Sequence, residues 1–112
     1  MPQANYQLLL SGTIAEETTA SFLVPPYLGG QAWTLFAQGL QGTEVVALDL
    51  LTTNIDAPEE TDWMAVYVSG TAMQLTPTDN LGVIASPGYY RVRCASSAGA
   101  IRVGLYKGGI TL

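Results

Sequence analysis

The sequence predicts a single all-β domain, an antiparallel sandwich of jelly-roll type with eight or nine short strands, and three observations carry that expectation. Apolar segments recur about every ten residues, each bounded by Gly, Pro, Asn, Asp or Ser, the rhythm of sandwiches and barrels. Within the segments apolar and polar residues alternate with period two, and no window longer than ten residues shows helical spacing free of breakers. The breakers fall between the apolar runs: Pro25-Pro26 cannot donate two successive ladder hydrogen bonds, Gly29-Gly30 and Gly39 to Gly42 suit turns, and Pro87-Gly88 favours a tight one.

The domain takes in residues 1–112, with 1–5 read as an extended N-terminal arm. These residues are uncharged and include Pro2, so the arm is expected to become ordered by pairing with a neighbour. Strands are predicted at 5–10, at 20–24 up to the proline pair, and at 32–38, which opens on Trp33. The next, 44–51, is the most apolar run and is interrupted by Asp49. Residues 52–61 form the longest polar stretch and read as an exposed loop. Strands at 62–68, 72–76 and 81–85 follow, with Trp33, Trp63, Met64 and Met73 expected in the core.

The last two strands, 89–95 and 100–107, are the most legible. Tyr90, Val92, Cys94, Ile101, Val103 and Leu105 share one apolar face, while Tyr89, Arg91, Arg93, Arg102 and Tyr106 occupy the other. Read as a hairpin with Ser96-Ser97-Ala98-Gly99 as its loop, the register sets Cys94 opposite Ile101, Val92 opposite Val103 and Tyr90 opposite Leu105. The same register sets Arg93 opposite Arg102, an unfavourable like-charge pair unless an anion lies near. Cys94 is expected to be a small, inert, buried hydrophobe.

Composition removes most catalytic chemistries. There is no His and one Cys, so Ser-His and Cys-His mechanisms and His/Cys zinc sites cannot be built within one chain, and no enzymatic activity or cofactor is expected. A paired-carboxylate glycosidase needs no His, but nothing marks a pair of acids as catalytic, and the odd spacing of Glu44 and Asp49 puts them on opposite faces of one strand. A net charge of −5 opposes nucleic-acid binding. The longest apolar runs, Leu8-Leu9-Leu10 and residues 45–51, fall well short of the roughly 20 residues a membrane helix needs. Met1-Pro2-Gln3-Ala4 opens no basic-then-apolar leader, so synthesis in a cytoplasm is expected. Asp56, Glu59, Glu60 and Asp62 match no calcium-loop spacing and read as a solvated acidic loop. The two Trp and six Tyr would suit a sugar platform, although rings in a small sandwich more often fill the core or subunit contacts.

Charge is segregated along the chain: residues 1–79 hold all nine acids, and 80–112 hold all four bases. In one reading, the basic strands lie beside acidic groups of the same subunit and the charges compensate internally. In the other, Arg91, Arg93 and Arg102 meet the Asp56, Glu59, Glu60 and Asp62 loop of a neighbouring subunit, building homo-oligomerisation into the surface.

From Gln31 onward the order is a Gly-bounded aromatic strand, the turn and strand Gly39-Leu40-Gln41-Gly42-Thr43-Glu44-Val45-Val46, a Trp63 strand after an acidic loop, then Pro87-Gly88-Tyr89-Tyr90-Arg91-Val92. Over about two-thirds of its length the chain resembles the small capsid decoration, cement or staple proteins of tailed bacteriophages, the capsid staple proteins of epsilon15-like podoviruses among them. The resemblance implies a jelly-roll-like structural virion protein on the capsid surface. Such a protein would bind the major capsid protein, tie neighbouring coat subunits together, and self-associate as a dimer or trimer. Two other readings share the composition, a tail-fibre, head-fibre or baseplate attachment module and a carbohydrate-binding sandwich.

Overall fold

A computed structural model describes residues 6–24, 33–52, 56–68, 71–84 and 86–107; the expected arm at 1–5 and the turns at Pro25-Pro26 and Gly29-Gly30 lie outside them. Among these residues the chain forms β1 (Tyr6–Thr13), β2 (Thr18–Val24), β3 (Trp33–Gln38), β4 (Val46–Leu51), a 3-10 turn (Glu60–Asp62) and β5 (Trp63–Ala65). There follow β6 (Tyr67–Val68), β7 (Thr71–Ala72), β8 (Gln74–Leu75), β9 (Leu81–Ile84), β10 (Gly88–Cys94) and β11 (Ala100–Lys107).

Nine of these strands make two antiparallel sheets, ordered β1-β11-β3-β9 and β2-β10-β4-β5, with β8 also paired to β4. The pairs β1·β11, β2·β10, β3·β9 and β4·β5 nest inside one another, and the strands of each successive pair lie in opposite sheets. That winding is a jelly roll. The expected strand at 62–68 divides because β4 is shared: β5 pairs with Asp49–Leu51 and β8 with Val46 and Ala47. Between them, at Leu48, the Val66 N–H donates to the Leu48 carbonyl at 3.1 Å and the Leu48 N–H to the Met73 carbonyl at 3.3 Å, and β6 and β7 hairpin away.

The inward faces meet as the alternation requires. Leu35, Leu48, Leu105, Val24, Val46, Val92, Val103 and Cys94 are fully buried, and the Phe22 and Tyr90 rings stack with centroids 5.8 Å apart. Tyr90 keeps its hydroxyl satisfied by donating to the Ser86 carbonyl at 2.9 Å. Trp33 and Met73 pack in or against this core. Met64 does not: it is 60% exposed, because β5 is an edge strand and its side chain leaves at the rim.

The expected β10–β11 hairpin is corrected. The two strands lie in different sheets, β10 between β2 and β4 and β11 between β1 and β3. Arg93 stands opposite Thr19 and Ala47, and Arg102 opposite Ser11 and Gln38, so the two arginines do not face each other. The inward parity of both strands was legible because alternation fixes the face; it does not fix the lateral partner. The connection between them is instead a bridge from sheet to sheet, latched by Ser97, whose N–H donates to the Ile14 carbonyl and whose Oγ accepts from the Ile14 N–H, both at 2.8 Å. Gly39 passes so close that a Cβ there would sit 2.5 Å from the Ala100 carbonyl oxygen, and its φ of +90° disfavours a side chain as well.

Cys94 is buried, and burial pushes its thiol above the ordinary value. A thiol reagent should therefore label the native protein only as fast as the sandwich opens, with the rate rising as urea is added. Rapid stoichiometric labelling without denaturant would contradict this placement.

Candidate functional site

Since Tyr90, Val92 and Cys94 point inward, Tyr89, Arg91 and Arg93 project from the outer face of β2-β10-β4-β5. One row across that face runs Ser21, Arg91, Asp49, Ala65. A neighbouring row pairs Leu23 with Tyr89 and Leu51 with Trp63. Asp49 thus stands at the centre of the sheet beside two arginines at i and i+2 spacing on one adjacent strand, and its carboxylate is their shared acceptor. Arg91 Nε donates to Asp49 Oδ2 at 2.8 Å, and Arg93 donates through Nε at 3.2 Å and Nη2 at 3.4 Å.

The network extends outward from Asp49. From the 3-10 turn of the polar loop, Glu60 receives a two-pronged contact from Arg91, Nη1 to Oε1 at 3.2 Å and Nη2 to Oε2 at 2.5 Å. Glu17, ahead of β2, lies 3.7 Å from Arg93 Nη1. The Arg91 guanidinium sits 4.7 Å over the Trp63 ring, a cation–π contact that also closes off Asp49. As a result the Asp49 side chain is only 4% exposed and that of Arg91 10%, although both stand on the outer face of the sandwich. The loop is braced at its base, where the Thr52 N–H and hydroxyl both donate to the Asp62 carbonyl at 2.8 Å and Asp62 Oδ2 accepts the Glu59 N–H at 2.8 Å.

Burial is the largest single influence on Asp49 and opposes its ionisation, yet the hydrogen bonds and charges of Arg93 and Arg91 together hold its carboxyl below the usual range. The Arg91 hydrogen bond likewise lowers Glu60. Folded values below the unfolded ones mean that this stabilisation is complete above the unfolded carboxylate range, about pH 4, and is lost as pH falls through the folded values. Urea midpoints measured from pH 7 down to pH 2 should fall steeply only below about pH 4. Asp49→Asn should flatten that acid limb, and an unchanged limb in the variant would remove Asp49 from this role.

Of the residues singled out from sequence, the fold brings Arg91, Arg93 and Glu60 together within one subunit. Asp62 braces the loop, while Asp56 and Glu59 are exposed on it. Arg102 lies on the outer face of the opposite sheet, remote from the cluster by topology. Sequence reading missed Asp49 as the hub, and it missed the Trp63 contact, having assigned Trp63 to the core. The available signal was a single carboxylate interrupting an apolar strand, with Arg91 and Arg93 sharing one face of another.

Chemically the cluster is saturated: each carboxylate oxygen of Asp49 accepts a hydrogen bond, and no group of three His, Cys, Asp or Glu side chains converges among the described residues. What the face offers is a stiff charged platform with a Tyr, a Trp and an Arg at its surface, the residue types that anchor protein–protein contacts. No protein-family model matches the chain, and no curated protein or solved structure matches it.

Proposed function

We propose that the chain is a structural virion protein that binds the outer surface of a phage capsid and ties neighbouring coat subunits together, docking through the outer face of β2-β10-β4-β5. One observation carries the docking assignment: Leu23, 45% exposed, and Tyr89, 38% exposed, stand side by side on this sheet next to the ion-clamped Arg91 and Trp63. Apolar and aromatic groups on a preorganised, charge-braced base bury area on contact with little ordering penalty. Jelly rolls serve as viral capsid and lectin domains alike, so the fold does not choose between functions. The resemblance to decoration and staple proteins supplies the capsid as partner, and a second copy of the chain is the other partner it implies.

Electron cryo-microscopy of particles carrying the protein tests the reading, with density for the sandwich expected across at least two coat subunits and this sheet facing inward. In Leu23→Lys with Tyr89→Ser, the strands should fold unchanged while attachment weakens roughly tenfold or more. Density confined to the tail or fibres would transfer the protein to an attachment module, and full attachment of the double variant would reject this face.

A further inference from the structure

The opposite sheet has a different surface. On the outer face of β1-β11-β3-β9, Phe36 is in register with Gly104, and a Cβ at position 104 would stand 2.6 Å from the ring. Glycine there lets the ring lie down across β11 toward Tyr106, with centroids 6.1 Å apart and planes tilted by 41°. The two rings border a groove of about 330 Å³ whose remaining lining is Ala37, Gln38, Asn80 and Leu81. Asn80 is fixed in place, because its carbonyl accepts the Ala37 N–H at 3.1 Å. The turn before it is closed by Thr76 N–H to the Asp79 carbonyl and Asp79 N–H to Thr76 Oγ1, each at 3.0 Å.

Tilted aromatic rings, two exposed side-chain amides and a lining without a charged group set the chemistry of what the groove can take. The rings offer an apolar face, while each amide both donates and accepts. An anion would call for a cation in the lining, and a purely hydrocarbon ligand would leave the amides unmatched. A sugar ring meets all three conditions, with C–H groups on one face and hydroxyls at its edge that donate and accept. We infer that this groove binds one neutral hexose unit of a saccharide, stacked on Tyr106 and Phe36 and hydrogen-bonded by Gln38 and Asn80. The site lies on the sheet opposite the proposed capsid-docking face and does not depend on that assignment.

Titration of the whole protein with glucose, galactose, mannose and N-acetylglucosamine and their short oligomers, followed by calorimetry and amide chemical shifts, is the test. Saturable binding with a Kd of order millimolar is expected for an open groove of this size. Tyr106→Ala should weaken it roughly tenfold and Tyr106→Phe should not, since the ring is what stacks. Gly104→Ala retains every lining residue but lifts Phe36, and should lose binding in a protein whose circular dichroism is unchanged. Leu23→Lys with Tyr89→Ser should bind sugar normally, so failure of the groove and failure of the docking face are separable. Absence of saturable binding by every neutral sugar, or binding that survives Tyr106→Ala, would overturn the assignment. Tighter binding of glucuronate or sialic acid that requires Arg102, which is in register with Gln38, would overturn it too.

Discussion

Asp49→Ala should destabilise the domain by about 3–5 kcal/mol, lowering its melting temperature by roughly 12–20 °C. The reason is less the loss of attraction than what remains. Arg91, 10% exposed at its side chain, would stay over Trp63 with only the exposed Glu60 as counter-charge and its Nε without an acceptor on the sheet, and Arg93 would lose its closest acceptor. Truncating Arg91 should cost less than truncating Asp49, because Asp49 would keep Arg93, and Glu60, 78% exposed, would return to water. Glu60→Gln should be milder still, affecting how firmly the 3-10 turn rests on the sheet more than global stability. Denaturant unfolding of the three variants gives the order. A loss below about 1 kcal/mol for Asp49→Ala would show that the network is a solvated surface arrangement.

Leu105→Ala should cost about 2–5 kcal/mol by the same measurement. Leu105 is 0% exposed on β11, in register with Leu35 at 1%, so both line the inner face of one sheet. Removing its isobutyl group leaves a void that strands tied on both sides cannot close. Leu81→Ala, on the outer face and 45% exposed, is the matched control and should cost well under about 1 kcal/mol. A larger loss at Leu81 than at Leu105 would mean that the inner and outer faces of β11 and β9 have been exchanged.

The fold class, most strand positions and the inward residues of β10 and β11 were legible because they are written locally, in alternation and in breakers, whereas the expected strands at 62–68 and 72–76 each divide in two. What alternation cannot carry is which strand lies beside which. Arg93 and Arg102 were therefore set against each other, whereas the chain crosses between sheets at 95–99 and separates them. The same gap hid the charge cluster: Asp49 and Arg91 are 42 residues apart, and only the β4–β10 pairing makes them neighbours. Trp63 read as core by composition, but its register with Leu51 puts it on the outer face, where a guanidinium covers it. The groove beside Gly104 rests on a missing side chain, which a sequence pattern records only as a pause in alternation.

The nesting of strand pairs also orders events during synthesis. β11 is the lateral partner of both β1 and β3, and β10 that of both β2 and β4. Until residues 88–107 have left the ribosome, at a synthesis rate of roughly 5–20 residues per second, the first two strands have none of the neighbours they pair with in the finished sheets. Neither sheet can be assembled progressively from the N-terminus. The Asp49 carboxylate likewise waits for both of its arginines, so the rigid base beneath Leu23 and Tyr89 comes into being only with the last strands. A nascent chain of this design cannot present the proposed docking face, or the ion-clamped base beneath it, before β10 has joined β2 and β4.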